Sequence, residues 1–186
     1  LLRKLTRLDN GTGAISWFAG MEGSRFVTLT VTEMLERINR LTGKQTATAA
    51  QLNRSYAWLD SQMDKHVAQL KSQASKSKQA PTLGESDYRY LYVSALAGHE
   101  VTPTIEYLLG LMQMPRRDLT IYGRANSAVI LALFGRGELA ANYLQSARES
   151  TVYKPGMGRY YDTPLAQLSW SDYRIPTQVA TIEALS

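Results

Sequence analysis

The sequence predicts an all-α fold of antiparallel helical hairpins, and three observations predict it. Apolar residues recur at spacings of three and four in successive runs, glycines or prolines close those runs, and the texture changes only after Ser150, where β-formers surround a Pro-Gly and a Met-Gly. The helical period repeats in pairs of roughly 40 to 50 residues without an exact sequence repeat, giving about seven helices. That pattern belongs equally to open α-solenoids and to closed α/α toroids.

The elements follow in order. From Ser24, Val27, Val31, Met34, Ile38 and Leu41 form one apolar stripe that predicts a core face, and Gly43 ends the helix. After "KQTATAA", Leu52, Tyr56, Leu59, Met63, Val67 and Leu70 repeat the spacing and predict the partner helix of a hairpin. Residues 72–86, "SQASKSKQAPTLGES", are poor in apolar residues and carry Pro81 and Gly84, so they predict a polar connecting loop. A helix is expected from Ser86 to Ala97 with Gly98 as its stop, then Thr102 as N-cap and Pro103 at the first position of "TPTIEYLLGLMQ", which Pro115 ends.

The next pair is "DLTIYGRANSAVILALFGRG" and "GELAANYLQSARES", with Gly135 and Gly137 at the turn and Ala128 to Phe134 apolar enough to be buried on most sides. "TVYKPGMGRYYDTP" predicts an irregular excursion or small β-hairpin within 151–170, and a last helix is expected at "IPTQVATIEALS".

Composition limits the function. The 186 residues, 44% of them of hydrophobic type, suffice for one core, and 1–186 is read as a single domain. No run of about eighteen apolar residues predicts a membrane span. The start "LLRKLTRLDNG" lacks an initiator methionine and a signal-type apolar segment, so the chain is expected to be a fragment of a larger protein. The formal charge is +5, but the 21 basic residues are scattered among 16 acidic ones, which argues against nucleic-acid binding. The absence of cysteine excludes disulfides, thiolate metal sites and a cysteine nucleophile or thioester within these residues.

Candidate chemistry is sparse, and no cofactor, metal site or catalytic residue is expected. His66 and His99 are the only histidines and are expected to face solvent. Asp60 and Asp64 share a helix face, read as a solvated edge, and no phosphate-binding loop or nucleophile elbow is present. The chain has eleven tyrosines, five of them clustered at 88–92 and 160–161, read chiefly as packing residues, with a protein-contact surface as the functional alternative.

"SWFAGMEGSRFVTLTVTEML", residues 16–35, resembles a signature of the thioester-domain region of α2-macroglobulins, especially the large bacterial ones, in which an aromatic "GGWSWF" loop leads into a helix. Trp17, Phe18, Gly20, Gly23, Ser24, Phe26, Val27 and Thr28 carry the likeness, while "NGTGAIS" stands where the family often has Asp-Gly-Gly-Trp. The glycines are expected to turn the chain, Trp17 and Phe18 to plug the end of a helical layer, and Ser24 to cap the helix. "YGRANSAVILALFGRGELAANYL" looks like the family's apolar helix, glycine turn and next helix. "SWSDYRIPTQVATIEAL" is similar to its "YEAPIETQALLIEAL" segment through Arg174, Ile175, Thr177, Gln178 and Ile182, with Pro176 where a glutamate is common.

The resemblance implies an α/α toroid, possibly partial, inside a large periplasmic, cell-envelope or extracellular protease inhibitor that serves host defence by trapping proteases. The partners it implies are proteases, met through the full-length protein, and other domains of the same chain. In family members with the reactive bond, a Cys-x-Glu-Gln motif forms a thioester; it is absent here. The alternatives are a helical-repeat binding scaffold or an α/α-toroid carbohydrate-active enzyme. The enzyme would need two carboxylates about 5 to 10 Å apart, for which Asp60, Asp64, Glu85 and Asp87 are the candidates.

Overall fold

In the computed structural model, residues 2–43, 49–77, 80–113, 119–162 and 174–186 are described. Among them the chain forms eight helices and one two-stranded antiparallel sheet, in two compact units, Leu1–Leu111 and Met112–Ser186.

The first unit holds α1 (Leu2–Leu8), α2 (Arg25–Thr42), α3 (Ala49–Ser77), α4 (Glu85–Ala97) and most of α5 (Pro103–Met112). The short α1 escapes the sequence reading. Ser24 opens α2 by accepting the Val27 amide at 3.4 Å, and Gly43, at φ 64°, closes it through an amide bond to the Asn39 carbonyl.

The expected core face of α2 is wrong. Thr28, Leu29, Thr32, Leu35 and Asn39 are buried, whereas Met34, Ile38 and Leu41 are exposed and Val27 and Val31 only half-buried. Threonine can line this interface because its hydroxyl is satisfied inside the helix. Thr28 Oγ1 donates to the Ser24 carbonyl at 2.8 Å and Thr32 Oγ1 to the Thr28 carbonyl at 2.7 Å, leaving methyl groups to pack.

The stripe on α3 is as expected from Leu52 to Val67, with Leu52, Tyr56, Leu59, Met63 and Val67 buried, and it fades at Leu70, which is half-buried. Each such side chain contributes about 1.5–3 kcal/mol by leaving water. The loop boundary differs, however, because α3 continues to Ser77 through the first part of the 72–86 stretch and α4 begins at Glu85. Lys, Ser, Gln and Ala at 71–77 tolerate a solvated helical end, with nothing among them to stop it before Pro81.

Gly84 precedes α4, and Asp87 accepts the Gly84 amide at 2.8 Å, folding the chain into the first turn. Gly98, at φ 69°, ends α4, and Thr102 caps α5 by accepting the Ile105 amide at 3.2 Å. Pro115 lies outside the described residues. α2 packs on α3 and α4. Glu33 receives Arg37 of its own helix on one oxygen and Arg89 of α4 on the other, each at 3.1 Å.

In the second unit α6 (Ile121–Leu133) packs on both α7 (Gly137–Arg148) and α8 (Arg174–Leu185). Thr120 caps α6 by accepting the Gly123 amide at 3.0 Å. Ala125 and Ser127 to Leu131 are buried between the two neighbours, but the burial expected to Phe134 stops there: Ala132 and Leu133 are exposed and Phe134 is half-buried. β1 (Val152–Lys154) and β2 (Gly158–Tyr160) form the expected hairpin, with Tyr153 opposite Arg159. Residues 163–170, the rest of that excursion, lie outside the described residues.

Candidate functional site

The segment that carries the α2-macroglobulin likeness is a loop seated on α2 and α3. Asp9 organises its start: Oδ1 accepts the amides of Gly11 at 2.9 Å and Gly13 at 3.1 Å, and Oδ2 accepts Arg54 of α3 at 3.0 Å. Burial pushes the Asp9 carboxyl up, but the Arg54 bond and the two amide bonds more than offset it and hold the group below its ordinary value. The Ser55 hydroxyl donates to the Gly13 carbonyl at 2.8 Å. A Cβ on Gly13 would stand 2.3 Å from the Arg54 carbonyl carbon and oxygen, so only glycine allows this approach.

The next residues lock onto α2. Ile15 donates its amide to Thr28 Oγ1 at 2.9 Å and accepts the Ser24 amide at 2.9 Å, and Ser16 donates its amide to the Leu8 carbonyl at 2.9 Å. Ala14, Ile15 and Ser16 are buried. Gly23 lies so close to Ala14 that an added Cβ would meet the alanine Cβ at 2.2 Å.

The expected role of the aromatics is corrected here. Trp17 and Phe18 do not plug the helical layer; they are 58% and 70% exposed, and Ala14 to Ser16 fill the place assigned to them. The chain turns outward at Ser16 because its buried amide and hydroxyl are spent on the carbonyls of Leu8 and Phe18. Gly20, at φ 86° with open space around it, completes the turn at the surface.

Trp17 stacks on Phe26 with ring centroids 5.9 Å apart and planes 15° from parallel, and the Arg89 guanidinium lies 5.3 Å over Phe26. Arg89 is held by Glu33, so the stack is built into α2 and α4. Phe26 is half exposed at 52%, Met21 is exposed beside the loop sequence, and Met34, Ile38 and Leu41 continue the exposed apolar character along α2. Among these groups nothing is arranged for proton transfer; the arrangement offers aromatic area and one fixed cation for contact with another surface.

On α8 Thr177 is buried, and Gln178 Nε2 donates to the Tyr161 carbonyl at 2.9 Å, tying the helix to the chain after β2. Ile175, Val179, Ile182 and Leu185 form an exposed stripe. Ser169 to Tyr173 of the third resembling stretch lie outside the described residues.

The titratable candidates serve structure. His66 is half-buried, not solvent-facing, with Nε2 3.0 Å from Oδ1 of the buried Asp87. His99 packs its ring on Tyr56 at 4.0 Å between centroids. Asp60 accepts the Tyr90 hydroxyl at 2.7 Å, and Asp64 accepts the Thr104 hydroxyl. Burial, then the Asp60 carboxylate, pushes the Tyr90 hydroxyl well above the ordinary tyrosine value. Asp64 is exposed, as the solvated edge expected there requires, while Asp60 is half-buried; both also tie α3 to its neighbours, through Tyr90 of α4 and Thr104 of α5, and Glu85 is exposed. Among the described residues no group of three or more His, Cys, Asp or Glu could hold a metal ion, and no helix is long and apolar enough to cross a membrane.

The signal for the buried Ala14 to Ser16 lay in the small residues and in the polar Asp9, Asn10 and Thr12 that fold the turn, rather than in the large aromatics. Compared with known families, curated proteins and solved structures, the chain has no match.

Proposed function

We propose that this chain is a non-catalytic helical region of an α2-macroglobulin-like protease trap, part of an α/α toroid of antiparallel hairpins, acting by contact and without a thioester of its own. The observation that carries the reading is the loop 9–24. It is fixed from below by Asp9, Gly13, Ile15 and Ser16, yet presents Trp17, Phe18 and Phe26 outward. Exposing large aromatics costs solubility, and beyond the Trp17–Phe26 stack and the Arg89 contact their faces return little to the fold, whereas a fixed aromatic platform lowers the entropy lost on association. The hydrogen bonds at Asp60, Asp64 and Asp87 support the non-catalytic part, because each carboxylate already accepts from a hydroxyl or an amide.

In this reading the domains that surround the region in the full-length protein cover the platform until a protease cuts elsewhere, and the trap then closes on the protease in the periplasm, cell envelope or extracellular space. The test is to digest the full-length protein with a panel of endopeptidases and follow native size and retained protease. Cleavage followed by compaction with protease held in the complex is expected. Cleavage that leaves size unchanged and all protease free would overturn the proposal.

A further inference from the structure

A second feature lies on the same unit, away from the aromatic platform and independent of the trap reading. Between α2, α3 and the end of α4 is a cleft of about 190 Å³, lined by Glu36, Asn39, Leu52, Asn53, Tyr56 and His99 among others. We propose that this cleft binds a small organic cation with an alkylammonium head, such as a free amine or the side chain of a lysine.

The charge in the lining is one-sided. Among the described lining residues Glu36 is the one carboxylate, and its Oε1 accepts the Tyr56 hydroxyl at 2.9 Å. Oε2 takes no hydrogen bond from a described residue, so this lining carboxylate keeps accepting capacity. Burial first, then the charge of Glu36, pushes the Tyr56 hydroxyl well above its ordinary value, so tyrosine stays the donor and Glu36 the acceptor.

The end of α4 adds to this. Ala97 lines the cleft at the helix C-terminus, where the last carbonyls carry partial negative charge. Arg40 donates to the Leu96 carbonyl at 2.6 Å, and its charge acts on Tyr56 in the sense opposite to Glu36 and Asp60. Asp60 also acts on Tyr56 from the α3 side, adding a second negative charge to the surroundings. Leu52 supplies an apolar wall for the methylenes behind the head, and the exposed Asn53 an amide oxygen at the mouth. An anion would meet Glu36 and the negative end of α4 together, and the volume admits one short chain rather than a drug-sized molecule.

The test uses the intact chain, labelled for NMR, titrated with three probes of one shape: butylammonium, butanol and butyrate. Nα-acetyl-lysine methylamide is the fourth probe and separates a chain-borne lysine from a free amine. Saturable shifts at the side-chain amides of Asn39 and Asn53 and the ring of His99 are expected with the two cations, not with butanol or butyrate. Tighter binding of the lysine probe would mark a protein side chain as the natural occupant, and equal binding a free amine. Glu36→Gln keeps the Tyr56 bond and should weaken cation binding about tenfold or more; Glu149→Gln, on an exposed turn, should leave it unchanged. Asn53→Ala, on an exposed helix face, should weaken it several-fold with the fold intact, and serves should the first variant not fold. Equal response to butanol or butyrate, cation shifts that map elsewhere, or undiminished binding in both cleft variants would overturn the proposal.

Discussion

Replacing Gly13 by alanine tests whether the loop 9–24 is seated on α3 as the structure has it. Gly13 has φ 90°, and its Cβ would fall 2.3 Å from the carbonyl carbon and oxygen of Arg54, in helical backbone that cannot turn aside. An ordinary contact is about 3.5 Å, so the loop must retreat by about 1 Å. The left-handed backbone costs a non-glycine residue about 1–2 kcal/mol. The retreat also breaks the bond from the Ser55 hydroxyl to the Gly13 carbonyl, leaving buried groups unpaired at about 1–3 kcal/mol. The expected loss is thus about 3 kcal/mol.

Gly11→Ala is the matched control. Its φ is 87° and nothing lies within 4 Å of its added Cβ, so it bears the backbone cost alone, about 1 kcal/mol. Urea unfolding followed by circular dichroism measures both, and the gap of about 2 kcal/mol corresponds to roughly 4–8 °C in melting temperature. Equal losses in the two variants would show that Gly13 does not approach α3 and would refute the seating of the loop.

Three further outcomes are expected. Leu35→Ala should lose about 2–5 kcal/mol while Leu41→Ala, at a side chain 87% exposed, stays within about 0.5 kcal/mol, measured by the same unfolding assay; the reverse order would restore the other face of α2 to the core. Thr28→Val strands the Ile15 amide, whose acceptor is Thr28 Oγ1, and should destabilise by about 1–3 kcal/mol with slowed-exchange protection lost at Ile15. The Asp9 carboxyl titrates lower in the folded than in the unfolded chain, so its contribution is present above the unfolded value near ~3.9 and is lost as pH falls through the folded one. Asp9→Asn should therefore be less stable than wild type at neutral pH, and the gap should close in acid; a gap constant with pH would exclude the ionised Asp9–Arg54 pair.

The legible parts of the fold are those set by local rules. Ser24, Thr102, Gly43, Gly98 and Gly135 act where short-range geometry alone decides, because caps and left-handed turns depend on neighbours a few residues away. The stripe on α3 was legible because its large apolar residues recur over five turns, while the other side carries one large apolar residue, Trp58, among small and polar ones. On α2 two faces compete: one of Val, Met, Ile and Leu, the other of Leu with Thr and Asn. Hydrophobicity favours the first, and the structure buries the second.

By itself, then, the sequence determined the helical class, most helix ends, the small hairpin and the absence of cysteine chemistry, since these follow from residue types and nearest neighbours. Tertiary structure alone decided which face of α2 is core, that Trp17 and Phe18 stand outside, and that Asp60, Asp64 and His66 hold helices together. The physical reason is common to all three. Threonine hydroxyls, loop amides and carboxylates become buriable or spent only once a partner from a distant segment arrives, such as Thr28 for Ile15, Arg54 for Asp9 or Tyr90 for Asp60, and no local pattern states which partner that is.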